Sequence, residues 1–237
     1  MKLLVNKMKI KNIFFLPLLS SFLFSCEKEQ EFKIPVEVGF YMDIQKNMVD
    51  NSRLQLNGGS VIISSFAFEG EREQASEVEF TRDYAQGLKI AFTSDQPVEA
   101  LQFQIPQGIY THISIEFESF EGYGENSLLV KGSYQNSEGS RYPLIFAMNS
   151  SESFEIEAVS YSDGSQIIIK KEAPVSAYIK LNPVHWFKNI PLALLDEADV
   201  MDWDGVPSIV ISEEENEEIY DLIEDQLNEA AEVTFVY

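Results

Sequence analysis

The stretch Leu101-Gln102-Phe103-Gln104-Ile105-Pro106-Gln107-Gly108-Ile109-Tyr110-Thr111-His112-Ile113-Ser114-Ile115-Glu116-Phe117-Glu118 decides the fold class. Leu101, Phe103 and Ile105 alternate with Gln102 and Gln104. After the turn signal Pro106-Gln107-Gly108, Ile113, Ile115 and Phe117 alternate with Ser114, Glu116 and Glu118. Side chains of a strand point to opposite faces in turn, so a period of two describes a sheet with one buried and one wet face.

The pattern extends outward in both directions. Tyr142, Leu144, Phe146 and Met148 repeat it, as do Val175, Ala177, Ile179 and Leu181. Ser137-Glu138-Gly139 and Asp163-Gly164 supply further turn signals, Asp-Gly being suited to the positive φ of a tight hairpin. The pattern predicts strands at 34–44, 60–69, 86–93, 98–105, 109–119, 127–136, 141–148, 153–161, 165–171 and 174–181. Such spacing predicts an antiparallel β-sandwich, immunoglobulin-like or transthyretin-like, over 36–182.

Beyond Leu181 the period changes. Asn182-Pro183 is a helix start, with Asn as N-cap and Pro in the first turn, and predicts a short helix through Asn189. A second helix is expected from Pro191 to about Met201, and a brief strand from Pro207 to Ile211. Ser212 and Glu215 have capping-box spacing. Ile219, Leu222, Ile223, Leu227 and Ala230 then form one stripe, predicting an amphipathic helix of roughly 17 residues. Val233, Phe235 and Tyr237 suggest a terminal strand. Residues 183–237 are thus expected to be a small helical extension packed on the same domain.

Composition narrows the function. The chain has 237 residues, 39 acidic and 17 basic side chains and a net charge of −22. A nucleic-acid binder needs Lys and Arg to neutralise phosphates, so nucleic acid is excluded as a partner. One Cys and two His rule out a disulfide framework and a thiolate zinc site. With 45% apolar residues the chain has the material for a real core.

The first 25 residues carry four Lys, no acid, and an apolar run from Ile13 to Phe24. A basic start, a 12-residue apolar run and a small residue before the cut describe an export signal. The run is too short for a ~30 Å hydrocarbon core. The single Cys follows at once, in Leu23-Phe24-Ser25-Cys26, which resembles the lipobox of bacterial lipoproteins, although Phe24 is bulkier than the usual residue there. The resemblance implies that Cys26 is acylated, becomes the mature N-terminus and holds the protein on a membrane. Glu27-Lys28-Glu29-Gln30-Glu31 is similar to the acidic surface-export segments of Bacteroidota lipoproteins. Residues 26–35 would then be a tether of at most about 30 Å. Ile105–Tyr110, Leu181–Phe187 and Ile219–Ile223 likewise resemble segments of uncharacterised Bacteroidota envelope lipoproteins. That resemblance implies an outer-membrane location, with the leaflet left open, and no established activity.

Chemistry is sparse. No Gly-x-Ser-x-Gly elbow occurs, His112 falls on the polar face of Ser114 and Glu116, and His185 sits beside Trp186 in the short helix. No residue is therefore assigned a catalytic role and no cofactor is expected. Asp199, Asp202 and Asp204, in an acidic segment ending at Gly205, are candidate Ca²⁺ ligands, but the spacing fails as an EF-hand. After Lys188 there is no Lys or Arg and there are 15 acids, which suits repulsion from anionic surfaces or a basic partner or cation. The leading expectation is an anchored, non-catalytic module that binds protein or glycan. The alternatives are a surface-appendage subunit that donates Val233–Tyr237 as a strand, and a carbohydrate-active hydrolase.

Overall fold

The computed structural model describes residues 33–46, 53–92, 96–122, 124–160, 166–227 and 231–237. The signal at 1–25, Cys26 with the acidic segment after it, and the Asp163-Gly164 turn lie outside the described residues.

The chain is mainly β, with thirteen strands and three short helices among the described residues. The strands are β1 (Pro35–Ile44), β2 (Leu54–Arg72), β3 (Val78–Phe92), β4 (Val98–Pro106), β5 (Gly108–Ser119), β6 (Leu128–Gln135) and β7 (Arg141–Met148). They continue with β8 (Ser153–Ser160), β9 (Ile167–Ile169), β10 (Val175–Leu181), β11 (Val200–Trp203), β12 (Val206–Ile211) and β13 (Ala231–Val236). The helices are α1 (Pro183–Trp186), α2 (Leu192–Glu197) and α3 (Glu217–Glu224).

All strands join one sheet, ordered β11-β12-β7-β6-β2-β5-β8-β13-β10-β1-β4, with β3 on β2 and β9 on β5. The long strand β2 is the fold's corner. Its first half pairs with β6 and its second half with β5, and the register shifts between Ile63 and Ser65. The two halves of the sheet close over a common core, which gives the sandwich-like layering expected from the alternation. Phe66 of β2 stacks on Phe103 of β4 at 5.0 Å, and Phe40 of β1 meets both rings edge-on.

The sheet is mixed where a purely antiparallel one was expected. β1 with β10, β12 with β7, and β13 with β8 are parallel pairs. Two of these involve strands from the C-terminal region, which carries the three described helices as expected and also adds strands to the sheet. β13 lies between β8 and β10, with Val233 and Phe235 fully buried. The segment expected to be offered to a neighbour pairs within its own chain.

The final helix is also shorter than expected, eight residues. Ser212 Oγ accepts from the N–H groups of Glu214 and Glu215, but it closes a turn rather than a helix. Asn216 then adopts the left-handed conformation, φ 53°. Its side chain donates to Val210 O at 2.6 Å and accepts from Asp199 N at 2.8 Å, so tertiary bonds break the helical run before Glu217. The Asn182–Pro183 start is as expected: Asn182 Oδ1 accepts from His185 N at 3.2 Å.

Candidate functional site

Strands β4, β1, β10, β13 and β8 lie side by side and turn one face to solvent. Residue pairing across them aligns Glu99, Tyr41, Tyr178, Thr234 and Val159 in one outward row. Tyr41 lies between Phe40 and Met42, and Tyr178 between Ala177 and Ile179; those four neighbours point into the core, so both tyrosines point out. Their rings stack at 5.1 Å and 20°. A Cβ on Gly39 would lie 3.1 Å from the Tyr41 ring, so the ring lies against that bare stretch of backbone.

The surroundings are polar and fixed. Gln102 donates to Glu99 at 2.5 Å, and Gln104 donates to Glu37 at 3.4 Å. Partial burial raises the Tyr41 phenol above its ordinary value, and the charge of Glu99 adds to the rise. Nearby lysines are matched by acids, Lys180 with Glu232 at 3.6 Å and Lys46 with Asp43 at 3.4 Å. Val159 at the end of the row is 57% exposed. The row is a half-exposed aromatic strip flanked by amides, carboxylates and a hydroxyl. Aromatic faces take apolar ring or C–H surface, and planar polar groups hydrogen-bond hydroxyls.

A second cluster fastens α2 to the β6–β7 hairpin. Arg53 bonds Asp196 and donates to Tyr134 OH and Gln135 O, each at 2.7 Å. Asp196 also accepts from Tyr134 OH at 2.9 Å and from Ser137 N at 2.9 Å. Burial, the hydrogen bond to Asp196 and that carboxylate's charge push the Tyr134 phenol up to about 12, against the opposing charge of Arg53. For Asp196, burial pushes upward, but the bonds from Arg53, Tyr134 and Ser137 outweigh it and hold the carboxyl below its usual range. Arg53, Tyr134 and Asp196 each bond the other two, which marks a structural clasp. A depressed carboxyl pKa contributes stability above its unfolded value and loses it as pH falls through the folded value. Thermal melts across acid pH are therefore expected to show Asp196→Asn lowering Tm by a few degrees at neutral pH. The difference from the parent should shrink toward acid.

The residues singled out from sequence are placed as follows. Asp204 (φ 54°) and Gly205 (φ 83°) are the two central residues of the β11–β12 hairpin, so this Asp-Gly is a turn. Asp202 Oδ1 accepts from Gly205 N at 2.8 Å within that turn, and Asp199 N donates to Asn216. Among the described residues no three His, Cys, Asp or Glu side chains are grouped to hold a metal ion. His112 is exposed on β5 opposite Glu71, and half-buried His185 lies in α1. The structure brings neither together with a nucleophile in any bond it shows. No helix among the described residues is long and apolar enough to cross a membrane.

Tyr41 and Tyr178 escape a reading by sequence because their pairing is non-local. The signal present is their phase: each is an aromatic residue on the polar beat of an otherwise regular alternation. No family model, curated protein or solved structure matches the chain.

Proposed function

We propose that the chain is an envelope lipoprotein, held on the outer membrane through acylated Cys26, whose β-sandwich is a non-catalytic module that binds a glycan along the Tyr41–Tyr178 row. The observation that carries this reading is the stacked pair on an outward sheet face, bordered by Glu99, Gln102, Gln104 and Thr234. Two aromatic residues on the solvent-facing side of the sheet, with planar amides beside them, suit the alternating apolar and hydroxyl faces of a sugar ring. The matched lysines leave the face without a cation set to receive an acidic sugar, which favours neutral units.

The test uses the detergent-solubilised full chain on a glycan array, beside a general hydrolase screen and an intact-mass measurement. The expected result is binding without turnover and a lipid-modified Cys26. Truncating a central aromatic contact costs about 2 kcal/mol or more, so Tyr41→Ala with Tyr178→Ala is expected to weaken binding by at least about thirtyfold. Binding that survives both substitutions removes the assignment of this face. Turnover removes the non-catalytic reading, and an unmodified Cys26 removes the anchor.

A further inference from the structure

The two ends of β1 differ in charge and texture. At its start, four segments meet around Gln107, which is 6% exposed. Gln107 N donates to Ile34 O at 3.1 Å, Gln107 Oε1 accepts from Lys171 N at 2.9 Å, and Gln107 O accepts from Arg72 at 3.1 Å. β9 lies alongside, with Ile168 opposite Ile109, and Tyr237 OH accepts from Ile168 N at 3.0 Å. This stitching presents Ile34, Ile168 and Tyr237 at one end of the molecule, 50%, 40% and 43% exposed. Lys33, Lys170 and Lys171 stand exposed around them, with Glu73 and Glu172 as neighbouring acids and Glu29 and Glu31 shortly before Lys33 in the sequence.

The other end is its opposite. Ile44, the last residue of β1, pairs with Leu181, after which the chain enters α1, and β13 returns from the same side with Ala231 opposite Leu181. The stretch between Lys188 and Ala231, with 14 acids and no base, departs from and returns to that end.

We infer that the Ile34–Ile168–Tyr237 end docks on the bilayer that holds the acyl chains of Cys26, with the acidic end turned away. This rests on the lipid anchor of the reading above. Lys33 lies seven positions after Cys26, so the tether reaches at most ~25 Å and joins the described chain at this end. Exposed apolar side chains enter the interface while lysine ammonium groups stay at the headgroups, where anionic lipid attracts them. The same lipid repels the acidic end. In this pose the Tyr41 row stands six residues along β1 from Pro35, ~20 Å from the docked end.

Amide exchange of the full chain in vesicles of phosphatidylethanolamine and phosphatidylglycerol, against the same chain in detergent, tests the pose. Exchange is expected to slow several-fold at 33–35, 106–109 and 166–171, and to stay unchanged at 183–197 and 212–227. Ile34→Glu with Ile168→Glu, both at exposed positions, should abolish that slowing while leaving circular dichroism unchanged. Equal rates throughout, or slowing at the acidic end, overturn the inference. If intact mass shows Cys26 unmodified, coupling its thiol to a maleimide lipid supplies the anchor, so the docking face stands or falls apart from natural lipidation.

Discussion

A chain lacking Ala231–Tyr237 loses its cooperative unfolding transition. The removed segment is an inner strand: β13 pairs antiparallel with β10 along six residues and parallel with β8 along three. Its loss exposes both neighbouring ladders and empties the space filled by Val233 and Phe235, both fully buried. Phe235 meets Phe40 edge-on at 6.2 Å, so the void opens into the main aromatic core. Phe235→Ala alone is expected to cost ~3–5 kcal/mol, a large share of the ~5–15 kcal/mol that stabilises a typical domain. Far-ultraviolet circular dichroism with heating reads the outcome. A truncated chain that melts cooperatively near the parent temperature would show that β8 and β10 hold the fold without it.

The second large effect is expected at Gly59. A Cβ there would lie 2.0 Å from the carbonyl oxygen of Leu129 and 3.2 Å from the Cα of Val130. Both are backbone atoms of the paired strand β6, so no rotamer change relieves the clash. Gly59→Ala must push β6 away from β2 at the point where β2 is also paired with β3. Overpacking of this kind costs about 3 kcal/mol, or ~6–12 °C in Tm for a domain of this size. Calorimetry on the purified variant checks it, and a change under ~2 °C would mean that the strands separate with little loss.

Much of the sheet was readable because its strands obey simple alternation. β4, β5, β7, β8 and β10 fall within a residue or two of their expected ends. The first half of β3 was not, and Arg82 explains why. Val78, Phe80 and Tyr84 share its phase, but Arg82 sits on the same face, over the ring of Phe103 at 5.6 Å. A cation on the apolar beat, lying over a ring of a distant strand, hides the alternation. The start of β2 was hidden by Gly58-Gly59, which interrupts the alternation because the strands approach closely there. β11 was masked by acidity: Asp202 and Asp204 suggest ligands, while their backbone makes a hairpin. The candidate binding row was beyond a sequence reading, since it depends on the parallel register of β1 with β10, strands separated by more than 130 residues.

The position of β13 also sets a time order. It follows every other strand in chain order, yet both β8 and β10 pair with it. A chain emerging from the ribosome therefore lacks this strand until the other twelve strands of the described residues have been made. Until then the facing ladder edges of β8 and β10 stay unmatched, so the sheet closes by a late, non-local pairing.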